Sequence, residues 1–346
     1  DFQSMIIKDG KYEFIEPADK DKTVYGVHPK TDKSNEGFLC SMSEDRLSKQ
    51  EIANLYSAGK SFANQTTNFA KSSDKKYRTM RLAMSVTGEY TQYFGGTVAN
   101  ALTAINATLT RVNGVFEKDF ALHLNLQNFP NVIYTNAATD PYSPAAQMNN
   151  WNLELQQTLT ANVGNANYDI GHLFGASGGG GNAGCIGCIC VDPTGPTSQQ
   201  KGSGYTSPAD GIPQGDNFDI DYVAHEIGHQ LGANHTFSHG LETAGVNVEP
   251  GSGSTIMGYA GITGANTDVQ AHSDPYFHAV SITQVQNRLI SRTCDVETPI
   301  TNNPPVIAPL PTYNIPKGTA FVLTASATDA ENDPMTYCWE QVDNAS

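Results

Sequence analysis

The sequence is poor in basic residues and in long apolar runs. Its 346 residues include 20 lysines and arginines against 35 aspartates and glutamates, a formal net charge of −15. That balance repels a polyanion, so we expect no nucleic-acid partner. No apolar run approaches the roughly 18 residues of a membrane-spanning helix, and no signal peptide is present, so we expect no membrane span. Because the chain starts at Asp1 rather than Met, we expect a processed piece of a longer protein.

Cysteine is also scarce. No C-x-x-C pair is matched by a second pair at zinc-finger spacing, so a structural zinc site of that kind is not expected. Disulfides in an exported protein fit the pattern better, and we therefore expect a secreted protein. The six cysteines are Cys40, Cys185, Cys188, Cys190, Cys294 and Cys338.

The charge is unevenly distributed, which predicts separate pieces. Residues 1–81 carry 14 basic and 12 acidic residues, whereas the remainder carries 6 and 23. We predict a β-rich first piece with a helical tail and linker over residues 1–71. A middle domain over residues 72–297 and a proline-rich linker with a truncated β-sandwich module over residues 298–346 follow. The module is predicted to hold two strands around the acidic turn "DAENDP".

The middle piece alternates strand and helix patterns. Strand-like segments such as "YRTMRLAMSV" are followed by long stretches with apolar residues at helical spacing, such as "TVANALTAINATLTRVNGVFEKD". Alternation of this kind predicts an α/β (α+β) domain, with a twisted mixed sheet covered by long helices.

The stretch "HEIGHQLGANH", from His225 to His235, carries the strongest functional signal. Residues four apart in a helix lie on one face, so His225 and His229 can point at one ion and Glu226 can reach its open side. Gly232 is expected to adopt a left-handed conformation that ends the helix and brings His235 round as the third ligand. Zinc accepts three imidazoles and leaves a position for water, which Glu226 would deprotonate. Incidental histidines on a buried helix are the alternative.

Together with "STIMGYAG", this motif resembles the signature of metzincin zinc endopeptidases. "YDIGHLF", the segment at Cys190 and a last helix ending at Cys294 are similar to reprolysin (adamalysin)-like enzymes, particularly bacterial ones, over roughly residues 77–295. The resemblance implies a zinc cofactor and protein or peptide substrates. It also implies that Met257 forms an apolar floor under the metal and that Cys190 pairs with Cys294.

Two positions depart from the reprolysin pattern. Thr236 stands where reprolysins usually have Asp after the third histidine. Tyr259, two residues after Met257, is instead similar to a tyrosine of astacins and serralysins that touches zinc or the oxyanion. We expect this catalytic role for Tyr259, with simple packing as the alternative. Calcium is a second candidate cofactor at the turn "DAENDP", which resembles acidic turns of cadherin- or PKD-like modules, with a solvated turn as the alternative. The resemblance argues against the reprolysin calcium site, because Asp169 matches one ligand but Arg81 lies near the place of its acidic partner.

The first piece resembles the end of a reprolysin-type propeptide in "DGKYEFIEPADKD" and "EGFLCSMSED". A thiolate is a good zinc ligand, so Cys40 is a candidate cysteine switch that takes the fourth metal position and keeps the enzyme latent. The propeptide is then the protein's own inhibitor, released by cleavage in residues 63–76. A disulfide or a free buried thiol at Cys40 is the alternative. Cys185 and Cys188 could form a local disulfide.

The predicted function is a secreted zinc endopeptidase that hydrolyses internal peptide bonds of proteins. "NAGCIGCICV" is predicted to be either an edge strand that pairs with extended substrate or a plain loop, and the glycines before it a plain connection. Substrate preference depends on residues after Met257, around "AGITGANTDVQ". The alternative function is a non-catalytic adhesive or binding protein that keeps a zinc-stapled, protease-like fold.

Overall fold

The computed structural model describes residues 4–8, 11–18, 23–30, 38–42, 73–242 and 244–345. The helix predicted for "SEDRLSKQEIANLYSAG", with Ser43 as its cap, lies outside these residues, as does most of the predicted linker at 63–76.

The first strands form a small antiparallel sheet of their own. Strands β1 (Ser4–Lys8), β2 (Lys11–Pro17) and β3 (Tyr25–His28) pair in that order. On this sheet Phe14 is buried and stacks on His28, with 6.1 Å between ring centroids. Strand β4 (Leu39–Cys40) leaves this sheet and joins the large one.

The large sheet is mixed and carries the site on its far edge. Its central strands β5 (Lys76–Val86), β6 (Leu122–Leu126), β7 (Ile170–Phe174) and β9 (Gly204–Ser207) run parallel to their neighbours among themselves. Strand β8 (Gly180–Asn182) pairs antiparallel with β9, and β10 (Val296–Pro299) pairs antiparallel with β5. Strand β4 pairs parallel with β8, so it too runs opposite to the central strands. In the described part of the chain the strand order is β10-β5-β7-β9-β8-β4, with β6 beside β5.

Helices cover the sheet where the sequence places apolar residues at helical spacing. The longest, α2 (Val98–Phe120), begins where the Thr97 side chain accepts a hydrogen bond from the backbone N–H of Asn100, and it buries Ile105 and Leu109 against the sheet. The other helices are α1 (Gly88–Tyr93), α3 (Trp151–Asn162), α4 (His225–Leu231), which continues a π-helical segment Asn217–Ala224, and α5 (Ala279–Ile290).

The last residues form less structure than the sequence predicts. Strand β10 crosses the boundary predicted at residue 297 and pairs with β5. Strand β12 (Ala327–Thr328) pairs with β11 (Val306–Ile307), which precedes it. The prediction of two strands around "DAENDP" was therefore wrong, because the partner of β12 comes from the segment before it. No helix in the described ranges is long and apolar enough to cross a membrane.

Two disulfides are formed, one local and one long-range. Cys185 bonds Cys188, three residues away, and Cys190 bonds Cys294, 104 residues away. The second bond ties the loop after β8 to the end of the chain segment that follows α5. In the described chain, the cysteines outside these pairs are the buried Cys40 and the exposed Cys338.

Removal of the long-range disulfide is expected to destabilise the domain more than removal of the local one. A cross-link that closes about a hundred residues restricts the unfolded chain strongly, and its loss costs about 2–4 kcal/mol of unfolding free energy. Denaturant titration of a Cys190→Ser/Cys294→Ser double variant measures this loss. The Cys185→Ser/Cys188→Ser double variant is the matched control, and a larger loss in this control would contradict the argument.

Candidate active site and metal centre

Helix α4 presents two histidines one turn apart, as the motif predicts. His225 and His229 lie on its buried face, and their ring centroids are 4.8 Å apart. The helix ends at Gly232, whose φ of 118° and ψ of 2° place it in the left-handed region that favours glycine. The Gly232 N–H donates to the carbonyl oxygens of Gly228 and His229. The chain therefore turns back and brings His235 under the helix.

The three imidazoles meet at one point, and a cysteine joins them. The His235 Nε2 atom is 3.2 Å from Nε2 of His225 and 3.0 Å from Nε2 of His229. The Cys40 Sγ atom is 3.5 Å from Nε2 of His229. All four ligand atoms are buried and lie within 4.8 Å of one another. Tetrahedral zinc with nitrogens at about 2.0–2.1 Å and sulfur at about 2.3 Å requires spacings of about 3.3–3.6 Å. The distances of His235 from the other two histidines and of Cys40 from His229 are close to these spacings.

The hydrogen bonds of the other ring nitrogens settle which way the lone pairs point. Nδ1 of His225 donates to the Ile256 carbonyl at 2.7 Å, and Nδ1 of His229 donates to the Ala233 carbonyl at 2.8 Å. Carbonyl oxygens only accept, so each Nδ1 carries the proton and each Nε2 presents a lone pair. Burial, together with the neighbouring histidines, lowers the pKa of His229 well below its ordinary value. Converging lone pairs repel unless a cation lies between them, which is the strongest sign that the site fits a metal.

The Nδ1 of His235 has a carboxylate partner that the sequence analysis missed. The Glu242 oxygens lie 3.0 and 3.1 Å from Nδ1 of His235. A carboxylate behind a metal-binding imidazole fixes its tautomer and increases its basicity. Glu242 stands seven residues beyond His235 in an irregular loop, so no periodic pattern pointed to it.

Substitution of Glu242 by glutamine is expected to weaken zinc binding. The amide retains one hydrogen-bond acceptor but loses the negative charge, and changes of this kind typically cost about 10- to 100-fold in metal affinity. Competition with a chromophoric chelator measures the dissociation constant directly. Glu117→Gln, on an exposed side chain of α2, is the control. An unchanged affinity in the Glu242 variant would show that this carboxylate has no influence on the site.

Glu226 lies beside the cluster, fully buried against the edge strand. Among the described residues neither of its carboxylate oxygens has a hydrogen-bond partner of regular geometry. Burial raises the pKa of Glu226 to about 8, and the nearby Cys40 thiol opposes this shift. Strand β8 can approach so closely only because Gly181 lacks a side chain: a Cβ there would lie 2.3 Å from Oε1 of Glu226. The carboxyl group therefore lies at the metal centre, beside the Cys40 thiol.

Met257 lies below α4, in the apolar core. It is completely buried, and a Cβ on Gly228 would lie 2.9 Å from its sulfur atom. A buried carboxylate, Glu249, links the turn that carries Met257 to Thr236, which stands where reprolysins usually have Asp. Glu249 accepts hydrogen bonds from the hydroxyls of Thr236 and Thr255. This connection ties the loop that carries His235 to the turn that carries Met257.

Tyr259 lies over the histidine cluster. Its ring centroid is 4.7 Å from that of His235 and 5.7 Å from that of His225. Its hydroxyl donates to the Cys40 carbonyl at 3.4 Å. Burial raises the pKa of Tyr259, so its hydroxyl stays protonated and remains a hydrogen-bond donor at the cleft.

The segment around Cys40 lies in the cleft as an added strand. β4 pairs parallel with β8, with Leu39 opposite Gly180 and Cys40 opposite Gly181. The N–H of Ser41 donates to the Gly181 carbonyl at 2.9 Å. Burial, then the Glu226 charge, raises the pKa of the Cys40 thiol well above its ordinary value. A divalent cation at the cluster would counter this by favouring the thiolate.

The edge strand is not where the sequence placed it. Strand β8 consists of Gly180–Asn182, within the glycine run interpreted as a plain connection, whereas residues 183–191 form turns. The prediction that "NAGCIGCICV" forms this strand was therefore wrong over most of its length. Glycine has a low propensity for strands, so the sequence did not predict a strand here. Close packing is why glycine is needed: a Cβ on Gly180 would lie 2.6 Å from the Met148 sulfur.

The candidate calcium ligand Asp169 is engaged by arginine. Its oxygens accept hydrogen bonds from the Arg81 backbone N–H at 2.7 Å and from the Arg81 guanidinium at 2.7 and 3.1 Å. Within the described ranges, the one group of histidine, cysteine and acidic ligand atoms able to share an ion is that of Cys40 and the three histidines.

The mixed α/β fold, the converging histidines and the adjacent buried glutamate define a metallopeptidase of the metzincin type. The sequence model of the reprolysin-like metallopeptidase family M12B matches residues 76–289, and the chain belongs to this family. A search of curated proteins gave no match.

Proposed function

We propose that the protein is a secreted zinc-dependent endopeptidase, held latent by its own propeptide. The observation that carries this proposal is the convergence of three metal-competent imidazoles beside a fully buried glutamate that shares the cleft with the Cys40 thiol. Membership of the M12B family supports the peptidase activity. The two disulfides support an oxidising, extracellular location.

His225, His229 and His235 would hold the zinc ion. Zinc bound there would supply Lewis acidity to the scissile carbonyl and lower the pKa of the attacking water toward roughly 7. Glu226 would take the proton of that water and hand it to the leaving amine. The Tyr259 hydroxyl would donate a hydrogen bond to the oxyanion that develops in the transition state.

The edge of the sheet would position the substrate. The carbonyl groups of Gly179, just before β8, and of Gly181, within it, accept hydrogen bonds from the backbone N–H groups of Leu39 and Ser41. An extended substrate would occupy the same edge once the propeptide has left. An internal segment of a protein chain can pair with such an edge, which supports endopeptidase action.

Latency would follow from the position of Cys40. Its sulfur lies in the metal cluster, where an attacking water would otherwise bind, and its strand covers the substrate-binding edge. Cleavage within residues 63–76 would allow the propeptide to dissociate.

The proposed function is tested by hydrolysis of casein with the Cys40→Ala chain, in which the metal position is open. We expect internal cleavage that a chelator abolishes and that one equivalent of zinc restores. Mass spectrometry of the products identifies internal peptide bonds as the sites. Hydrolysis that persists in the metal-free chain would contradict the proposal.

A further inference from the structure

We propose that the cleft contains an acidic specificity pocket, with Asp221 at its end, that accepts a lysine or arginine side chain of the substrate. The proposal rests on the endopeptidase function inferred above and names its substrate class. The pocket begins at the metal centre, since His225 and Tyr259 are among its lining residues. The segment after Met257 forms one wall, through Gly258, Ala260 and Ile262, and Asp221, Tyr222 and Ser273 form another.

Two propeptide residues contact the lining of this pocket: Phe38 lies in the pocket itself, and Lys30 contacts the lining residues Asp221 and Ser273. The Phe38 ring stacks on Tyr222, with 4.0 Å between centroids and an interplanar angle of 8°. The Lys30 ammonium donates to Asp221 at 3.0 Å and to the Ser273 carbonyl at 3.4 Å. An apolar group thus covers the aromatic wall, and a cation neutralises the carboxylate.

A single lysine or arginine side chain has both an apolar stem and a charged tip. The methylenes of lysine or arginine can lie along an apolar or aromatic wall while the charged tip reaches further. In the pocket, the stem would replace Phe38 on Tyr222 and the tip would replace Lys30 at Asp221. Two propeptide residues, Phe38 and Lys30, therefore make the contacts that a single basic side chain of the substrate would make.

The charges around the pocket favour a cation after the propeptide leaves. Asp216 is also 3.3 Å from the Lys30 ammonium, but it keeps its own partner, with Arg111 donating to it at 2.6 Å. Asp221 keeps the Ser273 backbone N–H at 3.1 Å and lies 3.6 Å from the His272 ring. Its side chain is 1% exposed. Lys30 thus shows that an ammonium group fits beside this carboxylate at the pocket.

The test uses the full chain with Cys40→Ala, Lys30→Ala and Phe38→Ala, which removes the thiol from the metal position and both propeptide side chains from the pocket. Casein fragments identified by mass spectrometry are expected to share lysine or arginine at one fixed position next to the scissile bond. Matched peptides with lysine or norleucine at that position are expected to differ at least about tenfold in kcat/KM. Cleavage without any basic preference overturns the pocket while leaving the endopeptidase function intact.

The role of Asp221 is isolated by adding Asp221→Asn to that chain. We expect the ratio of the kcat/KM values for the lysine and norleucine peptides to fall to near one, because the lysine peptide loses its ionic partner. Asp192→Asn, at an exposed carboxylate, is the matched control and should keep the ratio. An unchanged ratio in the Asp221 variant overturns the assignment.

A binding measurement covers the case in which no peptide is cleaved or the Asp221 variant does not fold. Calorimetric titration of the Cys40→Ala/Lys30→Ala/Phe38→Ala/Glu226→Ala chain with lysine-containing and norleucine-containing hexapeptide pools needs no catalysis. Binding of the lysine pool at least about tenfold tighter supports the pocket. Equal binding overturns it, whereas absent cleavage with tighter lysine binding removes only the endopeptidase function.

Discussion

Replacement of Cys40 by alanine in the intact chain is expected to raise the rate of casein hydrolysis by about tenfold or more. The thiol lies among the imidazoles, with Sγ 3.5 Å from Nε2 of His229, and its attachment to the same chain gives it a high effective concentration there. Alanine removes the ligand and opens the position for water. A continuous fluorescence assay with labelled casein measures the change.

The control for this experiment is Cys338→Ala, which removes the other free thiol. Cys338 is exposed and lies outside the cluster, so this variant should remain as latent as the parent chain. Equal rates for the parent and the Cys40 variant, at equal zinc content, would remove the cysteine switch from the account.

Addition of Glu226→Ala to the Cys40→Ala chain is expected to lower hydrolysis by about 10²- to 10⁴-fold, the usual contribution of a general base. Glu226 is completely buried beside the histidines. Glu242, the other carboxylate at the site, contacts His235 at Nδ1, the ring nitrogen that does not face the other histidines. Since the Glu226 carboxylate is not one of the four ligand groups, the variant should still bind one equivalent of zinc. The initial rate and the zinc content are measured on the same preparation.

Glu89→Ala, at an exposed acid on α1, serves as the matched control and should retain full activity. Casein hydrolysis that survives the Glu226 change would show that another group activates the water. A loss of both zinc and activity would instead assign Glu226 to holding the metal.

The centre of the site could be predicted because its determinants are local in sequence. The four-residue spacing of His225 and His229 follows from helix geometry, and a single glycine turns the chain toward His235. The contact of Cys40 with this cluster joins residues 189 apart, so only the family resemblance suggested it. Glu242 could not be predicted because its approach to His235 depends on the path of an irregular loop.

The fold was predictable where hydrophobic periodicity was strong and was missed where packing overrode propensity. Helix α2 has apolar residues at regular helical spacing and forms as expected. Strand β8 consists of two glycines and an asparagine. Glycine is required at positions 180 and 181 because Met148 and Glu226 leave no room for a side chain there. The Lys30–Asp221 ion pair likewise joins distant segments that no local pattern connects.

X-ray absorption spectroscopy at the zinc edge, on the intact chain loaded with one equivalent of zinc, tests the central claim most directly. The account predicts three nitrogen ligands from imidazoles at about 2.0–2.1 Å and one sulfur at about 2.3 Å. A spectrum without imidazole scattering, or with zinc bound mainly by sulfur, would contradict it.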